Sequence, residues 1–169
     1  MRTTKAIKVA LYGMLIALAF VFSYIEVLIP FNFNVPGIKL GLANIVVLMA
    51  LYSVGYRGAF LISCIRMILV GFTFGNTFSI IYSLAGGILS FASMSLCKKS
   101  NKFSTVGVSI AGGFTHNIGQ IIVASIILET EMLKYYLPVL MVVGTITGFL
   151  IGLLGNKLLF IQKKMFAAE

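Results

Sequence analysis

A succession of six apolar runs, broken only by short stretches of charge, Pro, Gly or Asn, constrains this chain more than any other feature of its sequence. The runs lie near 7–29, 38–55, 58–75, 77–97, 104–128 and 135–160. Crossing a hydrocarbon core of about 30 Å takes about 20 helical residues, so six spans consume nearly all of a 169-residue chain. Charged residues make up only 10%, against about 25% in a soluble domain, while 60% are hydrophobic and the mean hydropathy is +1.08. A water-soluble fold of this size has no interior large enough for that apolar surface. The sequence therefore predicts an all-α integral membrane protein, a single six-helix transmembrane domain over 1–169.

The first run follows Arg2, Lys5 and Lys8 like the start of a signal peptide, yet it continues to Ile29 without a small-residue cleavage site and reads as an uncleaved span. Between the first two runs, Pro30-Phe-Asn-Phe-Asn-Val-Pro36-Gly37 has two helix-opposing prolines and an interfacial aromatic pattern, expected of an ordered outer loop. Cytoplasmic loops retain Lys and Arg. With the N-terminus inside, ten basic residues (Arg2, Lys5, Lys8, Arg57, Lys98, Lys99, Lys102, Lys157, Lys163, Lys164) are cytoplasmic and two, Lys39 and Lys134, face out. An even number of spans also places the C-terminal lysines inside. The net charge of +9 is thus a record of topology; scattered at segment ends, it is no footprint for nucleic acid.

Polar groups at bilayer depth cost about 2.5–3.5 kcal/mol when charged and mark partners or wet cavities. Arg66 falls near the middle of the third run, as an anion-binding group, the counterpart of a buried acid, or a strut to backbone carbonyls. In the fifth run Gly113, His116, Asn117 and Gln120 are related by steps of three and four and share one helical face, expected to point inward. Asn44, Lys39 and Asn76 fall toward the outer side, where Glu26, Thr77, Tyr135 and Tyr136 are further candidates to line an outward pocket. His116, the only histidine, has no companions at metal-ligand spacing, and Cys64 and Cys97 read as packing residues. Small residues recur as Ala6-x-x-x-Ala10 and as Gly144-x-x-x-Gly148-x-x-x-Gly152, spacings that let helices approach.

Catalytic equipment is missing. The chain has no aspartate, its acids are Glu26, Glu129, Glu131 and Glu169, and it carries neither a P-loop nor a G-x-S-x-G turn. The clustered carboxylates needed for magnesium chemistry on diphosphates cannot be assembled. No cofactor, metal or enzymatic activity is implied.

Several motifs in order carry a resemblance: Pro36-Gly-Ile-Lys-Leu-Gly-Leu-Ala-Asn44, the Arg66 run, Ser83-Leu-Ala-Gly-Gly87 and Gly113-Phe-Thr-His-Asn-Ile-Gly-Gln120. Together they resemble the Gx transporter family, often labelled heptaprenyl diphosphate synthase component I, which is similar to the S components of energy-coupling factor (ECF) transporters. The resemblance implies a six-helix S-component-like bundle with both termini cytoplasmic, in a bacterial inner membrane. It further implies a small-molecule substrate, a coupling subunit and two ATPase subunits as partners, with Ala6 and Ala10 as the docking surface. The expected substrate site comprises Asn44, Arg66, His116, Asn117 and Gln120, with Lys39 and Asn76 at its outer rim and the Pro30–Gly37 loop as a lid. The alternative implied by the family label is a non-catalytic accessory subunit linked to prenyl diphosphate or quinone metabolism.

Overall fold

A computed structural model describes residues 5–28, 41–75, 77–129 and 132–167. Its helices in chain order are α1 (Lys5–Leu28), α2 (Asn44–Ser53), α3 (Tyr56–Phe74), α4 (Thr77–Ser100), α5 (Thr105–Ile127) and α6 (Leu137–Ala167), with a 3-10 turn at Met132–Tyr136 before α6. Among the described residues there is no strand, and five helical segments are long and apolar enough to cross a membrane. The exterior is apolar as well: Phe72, Leu96, Ile126 and Phe160 are all strongly exposed. An outside this greasy is suited to lipid, and the chain is a multi-pass membrane protein.

The second run departs from expectation. Its helix has 10 residues, about 15 Å by the rise of an α-helix and half of a bilayer core. Gly41 adopts a left-handed conformation (φ +78°) and residues 42–43 form a turn, so helix begins only at Asn44. At the other end Gly55 (φ +89°) permits the immediate reversal into α3. Hydropathy counts all these residues as apolar and cannot see the turn.

What α2 lacks in length it gains in burial. Ile45, Val46, Val47, Leu48, Ala50 and Leu51 are all buried, as a helix that is apolar all round must be. It lies against α1, α3 and α6, while the other helices pack in sequence, α1 on α3, α3 on α4, α4 on α5 and α5 on α6. Leu15, Ala19, Ile62, Met94, Val108 and Ile151 close the core around it.

Charges from neighbouring helices hold both ends of α2. At its C-terminus Lys98 of α4 donates to the Leu51 carbonyl (2.6 Å), with its ammonium over the rings of Tyr52 and Tyr56 (4.6 and 4.9 Å). At its N-terminal side the Glu26 carboxylate of α1 accepts the backbone N–H of Gly41. A cation at the C-terminal end and an anion at the N-terminal end both interact favourably with the helix dipole.

The alternating helices gather Arg57, Lys98, Lys99 and Lys102 at one end of the bundle, where α4 is stopped by left-handed Asn101 and α5 is started by Ser104, whose hydroxyl accepts from Gly107 N–H (3.2 Å). The opposite end, where α1 finishes and α2 begins, holds the candidate site.

Candidate functional site

Arg66 sits in the eleventh position of α3, about 15 Å along it, and is only 8% exposed. Around it Ser23 and Glu26 of α1, Gly41 and Asn44 at the start of α2, Met67 and Val70 of α3, Ser83 of α4 and His116 of α5 line one cavity. Five helices, α1 to α5, therefore converge on a single guanidinium. The cavity has about 20 Å³ open to the centre of a water molecule; that is room for an ordered water and too little for a metabolite.

A guanidinium offers five donors, and that of Arg66 leaves at least one of them unpartnered among the described residues. Its Nη2 donates to Asn44 Oδ1 over a long 3.5 Å, and its Nε, though buried, has no hydrogen-bond partner among the described residues. Glu26, also 8% exposed, acts on it electrostatically. Arg66 is therefore compensated by a buried acid and at the same time keeps donor capacity facing the cavity.

The polar face of α5 divides in two. His116 lines the Arg66 cavity, and its ring and carbonyl lie against Gly86 of α4: a Cβ placed there would be 3.2 Å from His116 Cε1 and 2.7 Å from His116 O. Gln120 follows one turn later against the same glycine and is half-buried. Asn117 turns the other way. Its amide donates to the Leu140 carbonyl of α6 at 2.6 Å, and Gly113 on the same side presses on the backbone of Gly144. Neither Asn117 nor Gln120 lines the cavity. The spacing that put four residues on one face covers an arc of about 100° or more, and in a bundle that arc meets two neighbours.

Asn44 does double duty. Besides the Arg66 cavity it lines a second, smaller void of about 10 Å³ with Ser90, Ser109 and Thr147, one hydroxyl from each of α4, α5 and α6. Ser90 Oγ is buried there without a partner among the described residues. Polar lining thus continues from Arg66 toward the centre of the bundle.

Of the other expected site residues, Lys39, Asn76 and the Pro30–Gly37 loop lie outside the described residues. Tyr135 and Tyr136 are exposed and Thr77 faces outward, so none of them lines the cavity. Glu26 does, and with it come Ser23, Gly41 and Ser83, which polarity at outer-half positions of α1 and α4 could have flagged. Ala6 and Ala10 are exposed on α1 at the basic end.

The family described as heptaprenyl diphosphate synthase component I matches residues 15–158, from α1 deep into α6. The chain belongs to the heptaprenyl diphosphate synthase component I family. Every residue lining the Arg66 cavity lies inside the match; Ala6 and Ala10 precede it. No curated protein and no solved structure matches the chain. The family description speaks of one component of a synthase.

Proposed function

We propose that this chain is the membrane-embedded substrate-binding subunit of an ECF-type importer, capturing a small molecule from the outer side of a bacterial inner membrane. The observation that carries this reading is the convergence of α1, α2, α3, α4 and α5 on Arg66, a buried cation with unused donor capacity in an otherwise apolar bundle. A charge at that depth is retained where it meets a ligand or partner. The site lies away from the basic end, which positive-inside logic assigns to the cytoplasm along with both termini. In its present shape the cavity admits a water and no more, so it corresponds to a closed state. Capture requires the α1–α2 corner, joined through Glu26 and Gly41, to part. Nothing in the chain suits ATP hydrolysis, and transport rests on a coupling subunit and ATPases as partners.

Those partners supply the test. Ala6 and Ala10 form an exposed small-residue strip where a partner helix could approach. Ala6→Trp should abolish co-purification of the coupling and ATPase subunits while the variant still folds. Undiminished co-purification would contradict docking at this strip, and absence of ATPases from the gently purified native protein would contradict the importer itself.

A second reading is favoured by the family description: an accessory subunit that holds a prenyl diphosphate or quinone precursor. An open apolar groove between α5 and α6, lined by Phe114, Pro138, Met141, Val142, Thr145 and Ile146, faces sideways. It shares no residue with the Arg66 cavity, so it offers an isoprenoid tail no route to the guanidinium. A retained isoprenoid in the purified protein would favour this reading.

A further inference from the structure

Resting on the reading of the Arg66 cavity as the substrate site, we propose that the seat between Arg66 and the N-terminus of α2 is a carboxylate seat, filled by Glu26 when empty of ligand, and that the substrate carries a carboxylate which displaces Glu26.

Three observations meet at this seat. The N-terminus of α2 has no side-chain cap of its own; the N–H groups of Asn44, Ile45 and Val46 turn back onto the carbonyls of Gly41, Leu42 and Ala43, and the positive end of the helix dipole there favours an anion. The group that takes the N–H of Gly41, just ahead of the helix, is the carboxylate of Glu26, fifteen residues earlier and on another helix. Independently, Arg66, more than nine-tenths buried, lines the same cavity and carries a buried Nε without a partner among the described residues. Both Glu26 and Arg66 line that cavity, and Glu26 acts on the guanidinium through its charge.

The protein thus demonstrates with its own side chain which chemical group fits. A ligand carboxylate presents the same two oxygens and the same single charge to the same donors. A phosphate or diphosphate would bring more negative charge than one arginine and a helix end offset at this depth, where Glu26 itself already competes. Met67 and Val70 supply an apolar wall for the remainder of the molecule. Because Glu26 also ties α1 to the segment entering α2, its displacement releases the α1–α2 corner, which links binding to opening of a cavity that is now too small. A tethered occupant lowers apparent affinity by the fraction of molecules in which it is seated.

The test uses the full-length detergent-purified protein, with sodium benzoate as the probe and inorganic pyrophosphate and neutral benzamide as comparators, read as a shift in unfolding temperature. Benzoate should stabilise the native protein, benzamide should not, and in Glu26→Gln the concentration of benzoate giving half the shift should fall roughly tenfold. Arg66→Gln should abolish the response; if that variant does not fold, the Glu26→Gln/Arg66→Gln double variant removes both buried charges and should fold without binding. Unchanged or weaker benzoate binding in Glu26→Gln, with loss in the arginine variant, overturns the occupant role of Glu26 and leaves the site standing. Undiminished binding without Arg66 overturns the site as well. Preference of Glu26→Gln for pyrophosphate, or no benzoate response in either protein, overturns the carboxylate assignment.

Discussion

Asn117 shows how a polar residue in a membrane helix can look like a ligand group and act as a strut. Its amide satisfies the Leu140 carbonyl across the α5–α6 interface and is itself buried. Asn117→Ala should cost about 0.6–1.7 kcal/mol, the range for interhelical hydrogen bonds in bilayers, seen as a lower midpoint in reversible SDS unfolding, and it should leave benzoate binding unchanged. A loss of binding with unaltered stability would return Asn117 to the site. At this scale the sequence was informative about depth and uninformative about direction. Arg66 and His116 stand out because hydropathy makes any polar group there conspicuous, and both line the cavity. The division of the α5 face was hidden because positions 116 and 117 stand at opposite edges of one polar arc and meet different helices. Glu26 was legible as a pocket candidate, but its contact was hidden, since its partner is a backbone N–H presented by a left-handed glycine.

Glycines decide the contacts between elements. On α6 a Cβ at Gly148 would lie 2.8 Å from the Ser109 carbonyl oxygen and 2.9 Å from Ile110 Cα, both backbone atoms of α5 that cannot turn aside. Gly148→Ala should therefore destabilise the bundle by about 1–3 kcal/mol, as overpacking does. Gly13, on the exposed side of α1, is the matching control, because a Cβ there would meet nothing within 4 Å. Gly13→Ala should stay within about 0.5 kcal/mol of the native protein. An equal gain at both positions in the same SDS titration would mean that helix propensity, which favours Ala over Gly, and not the α5–α6 approach, sets the outcome. The Gly144-x-x-x-Gly148-x-x-x-Gly152 spacing announced a close helix contact in the sequence itself, and its partner is α5 of the same chain. The brevity of α2 had no such signal: its apolar residues extend through a turn whose geometry rests on Gly41, and what makes a short, uncapped helix tenable is charge supplied from α1 and α4.

For the whole molecule, one internal helix held at both ends by other helices, inside a lipid-facing shell, places a buried cation at the base of the α1–α2 corner. The membrane class and helical architecture followed from hydropathy, since long unbroken apolar runs are the mark of spanning helices, whereas the closed β-barrel, which also satisfies its backbone in lipid, alternates apolar and polar residues. Convergence on Arg66 did not, because it depends on which helices become neighbours. The central claim is that this convergence exists to hold a small water-soluble molecule. Native mass spectrometry of the gently purified protein tests it most directly, with Arg66→Gln prepared in parallel. A retained small-molecule adduct is expected on the native chain, a carboxylic acid by fragmentation, and is lost from the variant; an adduct-free native chain, or an isoprenoid bound equally to both proteins, would rule out a water-soluble ligand at Arg66.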